Sequence, residues 1–148
     1  GFSVAAMGAL ESIALEKDLA HLTVAGQVFD LPSNDASLFS VGDYIVAGGA
    51  TGPMAIVYHT GIPYIAGVST VRVKASVDSV NQAFGSLTVG GLTVDYTAQL
   101  ALNPGLAPRH GDVVEVSGVQ PTAGGTLFVS SAGGGVAVGT AATMADRR

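Results

Sequence analysis

The sequence HLTVAGQVFDL at residues 21–31 returns at residues 86–96 as SLTVGGLTVDY. The positions that are identical in the two stretches are Leu22/Leu87, Thr23/Thr88, Val24/Val89, Gly26/Gly91 and Asp30/Asp95. In each copy, two short runs of β-prone residues flank a two-residue step that tolerates positive φ, as tight hairpin turns require. Each stretch therefore predicts a β-hairpin, and the repetition predicts a duplicated unit.

The match extends on both sides of the hairpins. Residues 4–13 align with residues 71–80, and residues 41–46, which contain a Gly-Asp turn, align with residues 110–115. The offset between the copies drifts only from 65 (residue 21 to residue 86) to 69 (residue 41 to residue 110), and the changes fall in turn-like segments. Matching blocks in a fixed order, with small differences in loop length, are the signature of a duplication.

The predicted fold is all-β. Each copy carries about five strand signals in some 65 residues, the size of a small Greek-key or OB-like barrel. We expect two tandem five-stranded barrel or sandwich units with extra terminal strands. The expected divisions are a first unit at residues 1–60, a second unit at residues 61–132 and a glycine-hinged C-terminal arm at residues 133–148.

One segment conflicts with this pattern. Residues 7–21, MGALESIALEKDLAH, contain many good helix formers. Their counterpart in the second copy, KASVDSVNQAFGS at residues 74–86, has poor helix propensity, and a duplicated unit should keep its architecture. Because propensity is a weak guide when tertiary context disagrees, a hairpin turn at residues 16–18 is predicted instead.

The composition is unusually poor in charge. Six Lys and Arg against eleven Asp and Glu give a net charge of −5, and charged residues make up 11% of the chain, against roughly 25% in average soluble domains. A nucleic-acid partner is not expected, because phosphate binding needs clustered cations. With 48% hydrophobic residues and 21 glycines, the composition favours either a membrane or a surface covered by other subunits.

A membrane span is not expected either. Residues 44–71 contain no charged side chain, but glycines and prolines interrupt them repeatedly. A spanning helix with so many breakers would leave backbone groups unsatisfied in lipid. The chain has no cysteine, so disulfides and thiol chemistry are excluded. It begins at Gly1 without a signal segment, which fits either a mature exported chain, at the cell surface or outside the cell, whose signal peptide has been removed, or simply a trimmed chain.

These residues carry a resemblance. A strand, an LTVGG hairpin with a later Asp, and a Gly-Asp turn released into a further strand together resemble a bacterial exported β-repeat family of unknown function. The likeness is best at residues 77–130 and looser in the first unit, where Ala-Gly-Gly at residues 47–49 stands for Val-Ser-Gly at residues 116–118. The resemblance implies a fold and export, and it implies no catalytic residues.

No side-chain pattern predicts chemistry. His21, His59 and His110 lie in separate segments without metal-ligand spacing. Residues 30–35, DLPSND, lack the spacing of an EF-hand and match a turn. Asp43 and Asp112 follow glycine at equivalent positions, so they are expected to cap the same turn twice rather than to form a catalytic pair. Asp30 and Asp95 receive the same interpretation, and no enzyme activity, metal or cofactor is predicted.

The leading hypothesis is a non-enzymatic structural subunit of an extracellular or cell-surface assembly, with a filament as the open-ended form. Copies would join by adding a terminal strand to a neighbour's sheet, and head-to-tail addition does not close. The predicted interface residues are Phe2, Val4, Val136 and Val138 in the terminal strands, and Tyr58 and Tyr64 in the segment between the units.

The alternative hypothesis is a monomeric exported module that binds carbohydrate or another surface protein. Tyrosines are the side chains on which it depends, since aromatic rings stack on sugars. Those that could line such a site are Tyr44, Tyr58, Tyr64 and Tyr96. Tyrosines also suit strand ends, where an amphipathic ring fits, so the sequence leaves both interpretations open.

Overall fold

The computed structural model describes residues 3–49, 54–130 and 135–139. The described strands are β1 (Ser3–Glu16), β2 (Leu19–Val24), β3 (Gln27–Pro32), β4 (Tyr44–Gly49), β5 (Ile56–His59), β6 (Val71–Ser76), β7 (Ser79–Asn81), β8 (Ser86–Val89), β9 (Leu92–Asp95), β10 (Val113–Val119), β11 (Leu127–Val129) and β12 (Gly135–Gly139). The α-helix α1 is Thr97–Leu102, and two 3₁₀ helices lie at Asp35–Leu38 and Gln82–Phe84. The protein is predominantly β, and the predicted all-β class is confirmed.

Both repeated stretches form the predicted hairpins. β2 pairs antiparallel with β3, and β8 pairs antiparallel with β9, each across a two-residue turn. In the first turn Ala25 and Gly26 have φ of 49° and 73°, and in the second Gly90 has φ of 57°. Positive φ at these positions matches the right-handed twist of the strands that the turns connect.

The helix-prone residues 7–21 form strands, as the duplication predicted. β1 and β2 make a hairpin whose turn contains Lys17 at φ 54°, with Glu16 opposite Leu19. β1 also pairs with β4 and with β6. Tertiary pairing on both edges of β1 therefore overrides the local helix propensity.

The strands form one continuous hydrogen-bonded sheet in the order β3-β2-β1-β6-β10-β11-β9-β8-β7. β4 pairs with β1 and β5, and β12 pairs with β10. In the second half the sheet runs from β6 through β10, β11, β9 and β8 to β7. β7 is the strand that directly follows β6 in the chain. β9 and β11 are parallel, whereas β6 and β10 are antiparallel. The two halves meet where β1 pairs with β6, at Ala6 opposite Val73.

A single hydrophobic core includes residues of both halves. Its fully buried members include Leu10, Leu22, Ile45, Val73, Leu87 and Leu127. Because one sheet and one core run through both halves, the division into two separate units with the boundaries given above stays a prediction.

The duplication is visible in the backbone contacts. The Leu10 amide donates to the Asp43 carbonyl at 2.8 Å, and the Val77 amide donates to the Asp112 carbonyl at 2.8 Å. Leu10 and Val77 are aligned in the sequence match, and so are Asp43 and Asp112. The copies therefore share a three-dimensional contact as well as a sequence.

The two repeated hairpins pack turn against turn. The Gly91 amide donates to the Gly26 carbonyl at 2.9 Å, and the Gln27 side-chain amide donates to the Val89 carbonyl at 2.7 Å. A Cβ atom built on Gly26 would lie 2.4 Å from the Leu92 nitrogen, a distance that no real Cβ tolerates. Glycine at residue 26 is thus required both by its positive φ and by the neighbouring turn.

The predicted C-terminal strand is confirmed, but its place differs from the prediction. β12 pairs antiparallel with residues 113–117 of β10, and β5 pairs antiparallel with residues 45–48 of β4. These stretches of β10 and β4 correspond in the duplication, so β12 lies on β10 where β5 lies on β4. β12 is therefore the equivalent of β5 in the repeat and does not lie outside the repeat. The sequence did not indicate this equivalence, because five residues separate β12 from β11.

Candidate functional site

The predicted terminal interface residues are paired within the chain as far as they are described. Phe2 lies outside the described residues. The backbone of Val4 lies opposite Gly48 of β4. The backbones of Val136 and Val138 in β12 lie opposite β10, so the two predicted terminal strands occupy different parts of the sheet.

Tyr58 and its neighbours form an exposed apolar row. Met54, Ile56 and Tyr58 alternate along the chain and are 39%, 40% and 47% exposed. Alternate residues of a strand point to the same side, so β5 presents Ile56 and Tyr58 together, and Met54 lies two residues before the strand begins. Val57, between them, packs against the core.

Tyr64, the other interface candidate from the inter-unit segment, lies in a cleft of about 610 Å³. The cleft is lined by Gly42, Asp43, Tyr44, His59, Gly61, Ile62, Pro63 and Tyr64. The rings of Tyr44 and Tyr64 meet edge to face with centroids 5.6 Å apart. The Tyr44 hydroxyl donates to the Thr70 carbonyl at 2.6 Å, which fixes that ring against the start of the second half.

The Tyr64 hydroxyl is buried and has no hydrogen-bond partner among the described residues. Burial raises the pKa of Tyr64, and the nearby Tyr44 and Glu11 raise it further. A buried hydroxyl without a partner is costly, and each such case in a native structure calls for an explanation. In Tyr64 this buried hydroxyl belongs to a residue that lines the cleft.

His59 and Asp43 form the polar side of the cleft. His59 lies at the end of β5, where its ring stacks on Phe39 with centroids 4.7 Å apart and an interplanar angle of 28°. Its Nε2 lies 2.9 Å from the Leu38 carbonyl oxygen, and its Nδ1 lies 3.6 Å from Asp43 Oδ2. Phe39 and Leu38 could not be predicted as partners of His59, because the contacts join segments about twenty residues apart.

Asp43 and Asp112 cap the same turn twice, as predicted. The Ser40 amide donates to Asp43 Oδ2 at 2.9 Å, and the Arg109 amide donates to Asp112 Oδ2 at 3.0 Å. The turn role of Asp43 leaves its carboxylate beside His59, whereas the described structure shows no ion pair at Asp112. The duplicated turn therefore carries a histidine contact in the first copy.

The prediction that Asp30 and Asp95 are equivalent turn residues is wrong for Asp30. Asp95 accepts from the amide and hydroxyl of Thr97, at 3.0 and 2.5 Å, at the start of α1. Asp30 belongs to β3, and its Oδ1 lies 2.5 Å from His21 Nδ1 on the neighbouring strand. Cross-strand pairing decides the contact, since His21 and Asp30 are register partners.

His21, a residue of β2, lies beside two carboxylates. Its Nε2 also lies 3.6 Å from Glu16 Oε1. The hydrogen bond to Asp30 raises the pKa of His21, the charges of Asp30 and Glu16 act in the same direction, and desolvation opposes them. The third histidine, His110, binds the Asp78 carbonyl through Nδ1 at 2.8 Å. The three histidines thus occupy three separate environments.

The structure removes Tyr96 from the residues predicted for a carbohydrate site and draws attention to Glu11. Tyr96 is fully buried, and its hydroxyl donates to Gln82 at 2.7 Å, so it is excluded from a surface carbohydrate site. Glu11, which the sequence did not single out, is half-buried beside the first hairpin turn, and burial raises its pKa against the opposing hydrogen bonds from the Gly26 and Ala25 amides.

No protein-family model, curated protein or solved structure matches the chain. The resemblance to an exported β-repeat family therefore stays a prediction. Within the described residues, no helix has the length and apolar character to cross a membrane. The same residues contain no group of three or more His, Asp or Glu side chains arranged to hold a metal ion.

Proposed function

We propose that the protein is a non-enzymatic structural subunit of an extracellular or cell-surface assembly, and that its copies join by exchanging the C-terminal strand. The observation that carries the proposal is the position of β12, which pairs with β10 from Gly135 to Gly139 and follows the glycine run at residues 133–135. A neighbour's β12 offers the same backbone groups and could make the same ladder.

The acceptor strand supports this proposal. Val114 and Val116 of β10 are fully buried, and the same stretch of β10 pairs with β6 on its other edge. Without β12, backbone groups of a core strand would lose their partners, which is unfavourable. Each copy therefore needs one strand at this edge, and exchange supplies it while linking two copies.

The surface composition agrees with assembly. Only 11% of the residues are charged, and Met54, Ile56 and Tyr58 are exposed along β5 and the two residues before it. Head-to-tail exchange is heterologous and continues without closing, which gives a filament. Tyr58 is then a candidate for lateral contacts between subunits rather than for the exchanged strand.

Cysteine pairing tests the exchange directly, because the natural chain has no cysteine. Glu115 and Ala137 are register partners on β10 and β12, and antiparallel partners have Cα atoms about 4.5–5.5 Å apart, within the range of a disulfide. Mixing the Glu115→Cys and Ala137→Cys proteins under assembly conditions and oxidising them should give disulfides between different variants.

The double variant Glu115→Cys/Ala137→Cys is the matched experiment. When it is oxidised as a dilute monomer, it should lock β12 in place and abolish polymers seen by electron microscopy, and reduction should restore them. Polymers that persist with the intrachain disulfide formed would refute strand exchange. Removal of residues 134–148 should also abolish polymers, although the exposed β10 edge makes that variant less stable.

The second candidate is a monomeric exported module that binds carbohydrate or another surface protein. Its support is the cleft lined by Tyr44 and Tyr64. Sedimentation of the purified chain separates the two functions. A monomer that persists at high protein concentration would favour the binding module, and concentration-dependent growth would favour assembly.

A further inference from the structure

The contact between His59 and Asp43 brings two hydrogen-bond acceptors together at the wall of the cleft. A carbonyl oxygen can only accept, so the 2.9 Å contact with Leu38 places the proton on His59 Nε2. In the neutral imidazole Nδ1 then carries a lone pair. Nδ1 lies 3.6 Å from Asp43 Oδ2, and in this neutral form a donor placed beside both atoms would bond to both.

The cleft is shaped to admit such a donor. The stacking of Phe39 holds the imidazole in position, and Tyr44 and Tyr64 supply aromatic walls. Gly42 and Gly61 have φ of 98° and 87°, and no atom of the described residues lies within 4 Å of a Cβ built on either. These two glycines therefore leave open space in the lining of the cleft.

The charge and proton count of the site select the ligand. Residues 1–60 contain six Asp and Glu but one Lys and no Arg, so the first half attracts cations. A hydroxyl has one proton and cannot donate to both acceptors, whereas ammonium and guanidinium groups have several. A positive charge also strengthens the bond to the carboxylate and is attracted to aromatic faces. We infer that this cleft binds an organic cation, through its ammonium or guanidinium group.

The second copy shows what distinguishes the site. Asp112 makes the same turn bond as Asp43. His59 lies opposite Ile45 of β4, and the equivalent place opposite β10 is held by Val138. The first copy thus adds an imidazole to an inherited turn, and Asp112 provides an internal control. The inference does not depend on strand exchange.

Binding can be tested with Nα-acetyl-lysine methylamide, using Nα-acetyl-norleucine methylamide as the uncharged analogue. NMR titration of the wild-type protein should give saturable shifts of the His59 and Tyr64 ring signals with the lysine derivative and not with the norleucine derivative. Equal binding of the two probes, or no saturable shift with the lysine derivative, would overturn the inference. Binding of methyl glucoside without binding of the lysine derivative would do so in favour of a carbohydrate site.

Two matched variants separate the ligand contact from the turn. Asp43→Asn keeps an oxygen that can accept from the Ser40 amide but removes the charge, so affinity for the lysine derivative should fall about ten-fold or more, a loss of about 1.4 kcal/mol. Asp112→Asn makes the same change at the equivalent turn and should leave affinity unchanged. Equal loss of affinity in both variants would show a general structural effect and would contradict the assignment.

Discussion

Replacement of Gly26 by alanine tests the turn-to-turn contact that joins the two repeats. A Cβ at this position would lie 2.4 Å from the Leu92 nitrogen and 2.6 Å from the Gly91 carbonyl carbon. Both are backbone atoms, so no side-chain rotation relieves the contact, and the turns must move apart. We expect Gly26→Ala to destabilise the protein strongly while leaving each hairpin able to form.

The magnitude has two parts. Alanine at the φ of 73° found at Gly26 costs about 1–2 kcal/mol. Separating the turns adds about 1–3 kcal/mol of overpacking strain, and it weakens the Gly91–Gly26 and Gln27–Val89 hydrogen bonds, each contributing about 1 kcal/mol. A total loss of about 2–7 kcal/mol follows, a large share of the roughly 5–15 kcal/mol of a typical domain.

Gly42→Ala is the matched control. Gly42 also has a positive φ, 98°, but within the described part of the chain no atom lies within 4 Å of a Cβ built there. It should therefore lose only the conformational part, about 1–2 kcal/mol. Urea denaturation followed by circular dichroism measures both losses, because the chain has no tryptophan for fluorescence. Equal losses in the two variants would refute the reasoning that the turns are in rigid contact.

Three further perturbations have defined outcomes. Gly118→Ala would place a Cβ 2.1 Å from a backbone oxygen of β11, whereas a Cβ on the equivalent Gly49 meets no atom of the described residues within 4 Å. Gly118→Ala should therefore lose at least about 2 kcal/mol more than Gly49→Ala in the same assay, and equal losses would contradict the β10–β11 packing. Burial raises the pKa of Glu11 from its ordinary 4.5, so the stability of the wild-type protein should fall as pH rises above that value. Glu11→Gln should therefore be more stable than the wild type at neutral pH and should lose this advantage in acid. An advantage that does not depend on pH would argue against desolvation of Glu11. The raised pKa of His21 makes protonated His21 stabilise the folded protein in full below pH 6.5, and this stabilisation is lost as pH rises through the higher pKa of the folded state. Asp30→Asn should therefore lower the free energy of unfolding in acid and leave it nearly unchanged in alkaline solution. The same loss at every pH would contradict the His21–Asp30 contact.

The repeat made much of the fold predictable. Comparison of the copies gave the hairpins, placed a turn at Lys17 against the local helix propensity, and gave the shared turn role of Asp43 and Asp112. These features are turns and hairpins, and each of them can be recognised in two aligned copies of the sequence. The helix α1 was not predicted, because the first copy has only a 3₁₀ helix, Asp35–Leu38, between the corresponding strands.

The candidate site was only partly predictable. Tyr64 was named from the sequence, but His59 was treated as an isolated residue, since its partners Phe39 and Asp43 lie on other elements. The pairing of His21 with Asp30 was missed for a related reason: register partners across a hairpin are separated by nine residues, so sequence spacing alone suggests a turn. The position of β12 could be found only from its pairing with β10, because five residues separate it from β11 in the chain.

The contact between Gly26 and Gly91 has a consequence for the origin of the chain. A contact that puts the same turn on both sides is the kind that two identical copies make about a two-fold axis. When such copies are fused into one chain, their contact becomes intramolecular, so it no longer depends on the concentration of a separate partner. Each half is then free to diverge without losing its mate. A histidine paired with β4 in the first copy, where a valine is paired with β10 in the second, is the outcome that this freedom permits.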